Sequence, residues 1–141
     1  MTKIHQISGR IFNKLLKKYG IEDLNSAQGR ILFALWEKNN VSITELSERT
    51  QLEKSTLTSM LDRLEKDGFI IRAPSKDDRR KILIQYTDKN ESFREKFIKV
   101  SDEMIDLFYR DFSSKEIDIF EDNLKRLLNN LSEAEKNEDL E

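Results

Sequence analysis

The chain has 141 residues, enough for one domain with helical extensions and a substantial hydrophobic core. It contains no cysteine and a single histidine, His5, which excludes disulfides, reactive thiols and a zinc site with the usual ligands. The net charge of -2 hides an asymmetry: residues 1–87 carry 16 basic and 11 acidic side chains, whereas residues 88–141 carry 9 and 16. The first part of the chain is therefore the part suited to meet a polyanion.

Several other classes of protein lack support in the sequence. No stretch approaches 18 consecutive apolar residues, and the N-terminus lacks the apolar segment of a signal peptide, so we expect a soluble cytoplasmic protein without a membrane role. There is no Ser/His/Asp set and no phosphate-binding glycine loop among the four glycines, so we expect no enzymatic activity, no cofactor and no metal. His5 is expected to be an ordinary surface or interface residue rather than a sensor.

The first two predicted elements are helices. Apolar residues recur at helical spacing from Ile4 to Tyr19, and Gly20 provides the stop. Asn25 is placed to cap a second helix, with Gln28 in the capping-box position, and this helix is expected to end at residues 39–40. Trp36 and Tyr19 are expected in the core rather than in a ligand cage.

A short helix and a longer one follow, separated by a turn at residues 51–52. Ser42 is the predicted cap of the short helix, with Glu45 as its reciprocal partner. The longer helix covers residues 53–68 and is closed by Gly68. Four apolar residues at positions i, i+3, i+4 and i+7 line its inner side: Leu57, Met60, Leu61 and Leu64.

The opposite side of this longer helix is polar. At 100° per residue it carries Ser55, Thr58, Ser59 and Asp62, with Thr56 and Arg63 along one edge and Lys54 at its start. Serine and threonine are indifferent helix formers, so helix stability does not explain their clustering. Short hydroxyl side chains allow a close approach to DNA base edges and phosphates, so we predict that this face enters a major groove.

After Gly68 the apolar period changes from 3.6 to 2, which predicts a hairpin. Residues 69–72 and 82–86 are the expected strands, and residues 73–81 connect them. The connection carries the sequence DDRRK, in which Arg79, Arg80 and Lys81 are expected to reach the DNA backbone or an adjacent minor groove. A plain solvated turn is the alternative, since basic residues are common at hairpin tips. Asp62 and Asp78 are expected to pair with Lys66 and Arg80, respectively.

The remaining chain is acidic and helical. Two apolar stripes predict two helices, with a frayed tail beyond Ser132. The stripes are larger than a small core needs, which favours dimerisation. The first comprises Phe93, Phe97, Val100, Met104, Leu107 and Phe108, and the second comprises Ile117, Phe120, Leu124, Leu127, Leu128 and Leu131.

These elements predict a mostly α-helical protein with a small β-hairpin wing. We expect a winged helix-turn-helix flanked by N- and C-terminal dimerisation helices. The expected segments are an N-terminal helix that contributes to dimerisation in residues 1–23, the DNA-binding domain in residues 24–87, and the C-terminal dimerisation helices with their acidic tail in residues 88–141.

Residues 24–87 resemble the MarR family of bacterial transcription regulators. The resemblance joins three separated motifs, which are the helix start LNSAQ, the segment KSTLTSMLDRLEKDGFIIR, and the wing DDRR before a strand ending in Tyr86-Thr87. It implies a homodimer with intertwined terminal helices that binds a palindromic operator in double-stranded DNA, as a ligand-responsive repressor. It also implies an effector pocket for small aromatic or anionic compounds, partly lined by the first helix around Phe12 and Leu16.

Individual site roles are also implied by the resemblance. Ser55, Thr56 and Thr58 match the polar positions used in the major groove, Asp78 would hold the wing, and Arg80 would enter the minor groove. Ser59 stands where many relatives carry arginine, and Asn90 stands where a glycine usually precedes the long helix. The alternative function, from another class, is a winged-helix protein-interaction module without direct DNA binding.

Overall fold

A computed structural model describes residues 1–137, which form six α-helices and one three-stranded sheet. Backbone contacts divide the chain into two units, Met1–Asp102 and the residues from Glu103 onward. The elements in chain order are α1 (Thr2–Lys18), α2 (Ser26–Glu37), β1 (Val41–Ser42), α3 (Ile43–Thr50), α4 (Lys54–Lys66), β2 (Ile70–Pro74), β3 (Ile82–Tyr86), α5 (Asn90–Phe108) and α6 (Ser114–Lys136).

Local capping explains where α2 and α3 begin. Asn25 Oδ1 accepts a hydrogen bond from the Gln28 amide at 2.9 Å, and Gln28 Oε1 accepts one from the Asn25 amide at 3.0 Å, which confirms the predicted capping box. Ser42 Oγ likewise accepts from the Glu45 amide at 3.1 Å. The predicted reciprocal bond from Glu45 is wrong, because its carboxylate accepts instead from Lys38 Nζ at 2.6 Å.

The turn between α3 and α4 is held by local hydrogen bonds. Gln51 ends α3 in the left-handed conformation, with φ of 58°. The Ser47 hydroxyl donates to the Leu52 carbonyl at 2.6 Å, and the Thr50 hydroxyl donates to the Leu46 carbonyl at 2.7 Å. The two helices therefore form the predicted helix-turn-helix.

The sheet has one strand more than the sequence predicts. Strands β2 and β3 form the predicted antiparallel hairpin, although β2 extends to Pro74 rather than ending at residue 72. The additional strand, β1, pairs with β3 on its other side, giving the order β1-β3-β2. The Asn39 side chain secures this junction, because its Oδ1 accepts from the Tyr86 amide at 3.0 Å.

The core of the first unit is built from the predicted apolar sides of the helices. Gly29 of α2 lies against Phe97 of α5 so closely that a Cβ at residue 29 would come within 2.6 Å of the Phe97 ring. Trp36 contacts the same ring from the side, at 5.5 Å between ring centroids. The fully buried large side chains are Leu16, Ile21, Ile31, Leu32, Leu35, Leu46, Leu57, Leu61, Leu64, Phe69, Ile70 and Phe97.

Asn90 joins the base of the hairpin to the start of α5. Its side chain is buried, and its Nδ2 donates to the Phe69 carbonyl at 2.6 Å and to the Thr87 carbonyl at 3.1 Å. Among the described residues, the non-glycine positions with positive φ do not include Asn90. Asn90 therefore begins the helix through side-chain hydrogen bonds rather than through a glycine-like backbone conformation.

The second unit contains the end of α5 and helix α6, and α6 has an exposed apolar face. Ser113 and Glu116 form a capping box at the start of α6, and the Ser113 amide holds the pKa of the Glu116 carboxyl below its usual value. The Tyr109 hydroxyl donates to Glu121 at 2.8 Å, which raises the pKa of that phenol. No side chain of α6 is buried in the described chain.

Helix α6 extends beyond the point at which the sequence predicts fraying. Fraying beyond Ser132 is wrong for residues 133–136, because α6 continues to Lys136, and residues 138–141 of the predicted tail lie outside the described residues. In the described part of the chain no helix is both long enough and apolar enough to cross a membrane.

Replacing Asn90 with alanine is expected to lower the free energy of unfolding by about 1–3 kcal/mol, because two hydrogen bonds at a buried site are lost. Urea titration at fixed protein concentration measures this change. Ser92→Ala is the matched control, since the Ser92 hydroxyl also donates to a backbone carbonyl but is exposed. Equal effects of the two substitutions would contradict the role assigned to Asn90.

Candidate nucleic-acid interface

The polar side of α4 is exposed, as its sequence predicts. Burial of Leu57, Leu61 and Leu64 fixes the rotation of the helix about its axis, so the opposite side must face solvent. Every residue predicted for the major groove is exposed: Lys54, Ser55, Thr56, Thr58, Ser59 and Arg63. The structure therefore brings these side chains together on one accessible surface, which we call the α4 face.

The hydroxyl groups of the α4 face retain capacity for further hydrogen bonds. The Thr58 hydroxyl donates to the Lys54 carbonyl at 2.7 Å, and the Ser59 hydroxyl donates to the Ser55 carbonyl at 3.4 Å. A hydroxyl that donates in this way still has lone pairs that can accept from an external donor. The face can thus accept hydrogen bonds as it stands, and it can donate them after rotation about the C–O bond.

The first turn of α4 is also open to an external acceptor. Glu53 occupies the N-cap position but makes no side-chain capping bond. The first amides of an α-helix have no partner within the helix, and the helix dipole makes this end favourable for anions. Lys54 lies in the same turn and adds a positive charge. Lys54 offsets the Glu53 carboxylate, so the free amides and the helix dipole are what this end offers to a phosphate group.

The hairpin tip is ordered by backbone hydrogen bonds around Asp78. Asp78 Oδ1 accepts from the Arg80 amide at 3.0 Å, and the Asp78 carbonyl accepts from the Lys81 amide at 2.9 Å. The predicted ion pair between the side chains of Asp78 and Arg80 is therefore replaced by a contact to the Arg80 backbone. Asp78 shapes the turn, and the Arg80 guanidinium stays free to point elsewhere.

Three consecutive cationic side chains project from this tip. Arg79, Arg80 and Lys81 are all exposed. Within the described residues, no ion pair engages any of the three. Their charges are therefore available to an external polyanion, and we call these residues the basic wing tip.

The sequence did not reveal the contact that joins the hairpin to α4. Arg72 of β2 places its Nη2 2.7 Å from Asp62 Oδ1 and its Nη1 3.8 Å from Glu65 Oε1. The predicted pairing of Asp62 with Lys66 is wrong, because Arg72 occupies the Asp62 carboxylate. No spacing rule within one helix could have found this pair, since its two members lie ten positions apart on different elements.

Acidic groups confine the electropositive part of the α4 face. A shallow cleft of about 620 Å³ lies beside the C-terminal half of α4. Its four carboxylates oppose two cationic side chains, so this end is unfavourable for phosphate. The lining residues are Glu22, Asp23, Ser59, Asp62, Arg63, Lys66 and Asp67.

Residues 1–137 contain no evident metal site. Within that range no group of three or more histidine, cysteine or acidic side chains is placed to hold a metal ion. The chemistry that the α4 face and the basic wing tip offer is hydrogen bonding and charge.

A helix-turn-helix followed by a hairpin, with the sheet order β1-β3-β2, defines a winged helix-turn-helix domain. The family model described as MarR family matches residues 24–82. The chain belongs to this family of transcription regulators.

Individual relatives support the assignment. The chain is 32% identical over 111 residues to the HTH-type transcriptional repressor YetL of Bacillus subtilis (strain 168), and the match covers 77% of this chain and 66% of YetL. The chain thus spans just under two thirds of that relative's length.

Solved structures of the same fold include two complexes. A mutant MarR from E. coli complexed with operator DNA superimposes with a TM-score of 0.79 at 24% identity, covering 90% of this chain and 89% of the other. The PcaV transcriptional regulator from Streptomyces coelicolor, in complex with its natural ligand, gives a TM-score of 0.79 at 21% identity, covering 91% and 88%. At these identities the two structures establish the shared fold alone.

Proposed function

We propose that this protein is a sequence-specific regulator of transcription that binds a palindromic operator in double-stranded DNA as a homodimer and represses the adjacent gene. The observation that carries the proposal is the pairing of two DNA-compatible surfaces on one domain, the α4 face and the basic wing tip. The operator complex of the E. coli MarR mutant and the repressor name of YetL support it by analogy with those proteins.

In the proposed complex each surface has a separate task. The α4 face lies in the major groove, where the hydroxyls of Ser55, Thr56 and Thr58 reach base edges and phosphates. The first turn of α4 and Lys54 bind a backbone phosphate. Arg80 enters the neighbouring minor groove, where a narrow A/T-rich sequence concentrates negative potential, while Arg79 and Lys81 contact phosphates.

Binding to DNA from the protein's own promoter region at two salt concentrations tests this function. Specific binding that weakens steeply with salt is expected, because basic groups displace counterions from the phosphates. An absence of specific binding, or an affinity that does not change with salt, would favour the alternative of a protein-interaction module.

Replacing Arg80 with alanine is expected to weaken operator binding by about 1–3 kcal/mol, the size of one good groove contact. Fluorescence anisotropy measures the affinity, and sedimentation verifies that the oligomeric state is unchanged. Lys99→Ala is the matched control, because it also removes one exposed positive charge but lies on α5. If Arg80→Ala binds as tightly as the control, the proposed contact is wrong.

The homodimer is proposed from the apolar face of α6. Phe120, Leu124, Leu127, Leu128 and Leu131 are each 40% to 62% exposed. A continuous apolar stripe of this size on a helix is characteristic of a protein interface. A second copy would cover it, and two domains would then present two α4 faces to half-sites about one helical turn apart.

Replacing Leu128 with glutamate is expected to convert the dimer to monomer, because it puts a charge in the centre of the apolar stripe. Analytical ultracentrifugation measures the association state. Asn129→Glu introduces the same charge on the opposite side of α6 and is expected to leave the dimer intact. A chain that is monomeric before substitution would overturn the proposal.

Control by a small aromatic or anionic effector is proposed from the aromatic cluster near α1. The Phe97 ring lies between those of Phe12 and Trp36, at 6.5 and 5.5 Å, respectively, between centroids. The Trp36 Nε1 atom is buried without a hydrogen-bond acceptor among the described residues, and the Arg94 guanidinium lies 6.0 Å from the indole centroid. An aromatic acid could stack here, accept from the indole and pair with the guanidinium.

Trp36 is the only tryptophan, so its fluorescence reports on this cluster alone. Titration with a panel of phenolic and benzoic compounds is expected to change the emission and to raise the melting temperature for those that bind. Arg94→Gln is expected to weaken binding of the anionic compounds while sparing the neutral ones. A null result across the panel would contradict control by this class of compound.

A further inference from the structure

The Arg72 side chain makes polar contacts between the hairpin and α4. The Arg72 guanidinium reaches the Asp62 carboxylate at 2.7 Å, the Glu65 carboxylate at 3.8 Å and the Thr58 carbonyl at 3.5 Å. Its three partners lie at positions i, i+4 and i+7 of α4, so they follow one edge of the helix. The guanidinium of Arg72 therefore contacts two successive turns of α4.

This contact adds little to the stability of the fold. The side chains of Asp62 and Glu65 are 62% and 43% exposed, and ion pairs with partners this exposed contribute little because water screens them. The Arg72 side chain is only 23% exposed, and its Nε is buried without a partner among the described residues. Such a guanidinium bears a desolvation cost that an apolar side chain would avoid.

What the contact supplies is orientation. A guanidinium is planar and rigid, so binding to two carboxylates fixes the angle between the strand and the helix. Arg72 pairs with Ile84 in the hairpin register, and the paired strands end two positions further on, at Pro74 and Ile82, before the chain turns at the basic wing tip. A small rotation of the hairpin about its base would therefore move Arg80 far more than it would move Arg72.

We propose that Arg72, held by Asp62, is a positioning residue that sets the distance between the major-groove and minor-groove contacts of one subunit. The proposal rests on the proposed DNA-binding function and specifies how its two surfaces are coordinated. It also explains an acidic residue on the α4 face, because the Asp62 carboxylate acts on the wing rather than on the nucleic acid.

Asp62→Asn separates positioning from simple electrostatics. Removal of a negative charge from the α4 face would by itself strengthen binding to a polyanion. Loss of wing alignment would instead weaken it, so we expect operator affinity to fall severalfold although the net charge becomes more positive. Tighter binding by Asp62→Asn would overturn the proposal.

A double-mutant cycle with Arg80 supplies the second measurement. In the unaltered chain, Arg80→Ala is expected to weaken binding by about 5- to 150-fold. In an Arg72→Met background, which keeps the apolar stem but lacks the fork, the same change is expected to cost less than about threefold, because the wing is no longer aligned. Arg72→Lys retains the charge without the fork and is expected to behave like Arg72→Met. An undiminished effect of Arg80→Ala in either background would overturn the proposal.

Arg49→Met is the matched control. Arg49 is 27% exposed, pairs with Glu37 at 3.0 Å and donates to the Ala34 carbonyl, but it joins α3 to α2 rather than to the hairpin. Its loss is expected to leave the effect of Arg80→Ala unchanged. If Arg49→Met diminishes that effect as much as Arg72→Met does, the coupling reflects general loosening and the proposal is wrong.

A measurement without DNA distinguishes this proposal from the function on which it rests. Because the chain has no cysteine, Lys66→Cys and Lys76→Cys allow two spin labels to be attached only to α4 and the wing. Diluted with unlabelled protein, the labelled chain is expected to give a narrow distance distribution that Arg72→Met broadens. Equal widths would overturn the positioning role, whereas a broadened distribution with no operator binding would overturn the DNA-binding function alone.

Discussion

The rest of the structure depends on how α4 is fixed about its own axis. Leu57, Leu61 and Leu64 are each fully buried, so the helix cannot rotate without exposing at least one of them. This constraint determines which residues of α4 face outward. It places the serine and threonine side chains, which do not contribute to the core, together on one polar surface. The short α3 and the tight turn at Gln51 serve mainly to hold α4 in this orientation.

The positive charges of the α4 face and the basic wing tip are few and unevenly distributed. Lys54 lies in the first turn of α4 and three basic side chains lie at the wing tip, whereas Arg63 and Lys66 in the C-terminal half of the helix are outnumbered by the carboxylates that line the neighbouring cleft. A single domain of this kind attracts a polyanion only modestly. The proposed dimer and the proposed alignment of the wing would both strengthen binding to DNA. Two subunits multiply the contacts, and Arg72 ensures that the contacts within each subunit are made together.

The elements that the sequence predicted are those encoded by neighbours in the chain. The capping box at Asn25, the apolar side of α4 and the hairpin all depend on spacings of a few residues, and the structure contains each of them. The features that were missed join distant segments. Strand β1 is only two residues long and exists because it pairs with β3, and Arg72 finds Asp62 only after the hairpin has folded back on the helix. The groove contacts of individual side chains remain proposals, since they depend on a partner molecule.

The close approach of Gly29 to Phe97 has a consequence for how the sequence can diverge. Any side chain at residue 29 would collide with the ring, so α2 and α5 can cross at this separation only while one position lacks a Cβ. Residues 29 and 97 are therefore expected to vary together among homologues, with a larger residue at the first accompanied by a smaller one at the second. Helix α5 is thus attached to α2 by a constraint of shape rather than of charge, and substitutions at the surface do not alter this constraint.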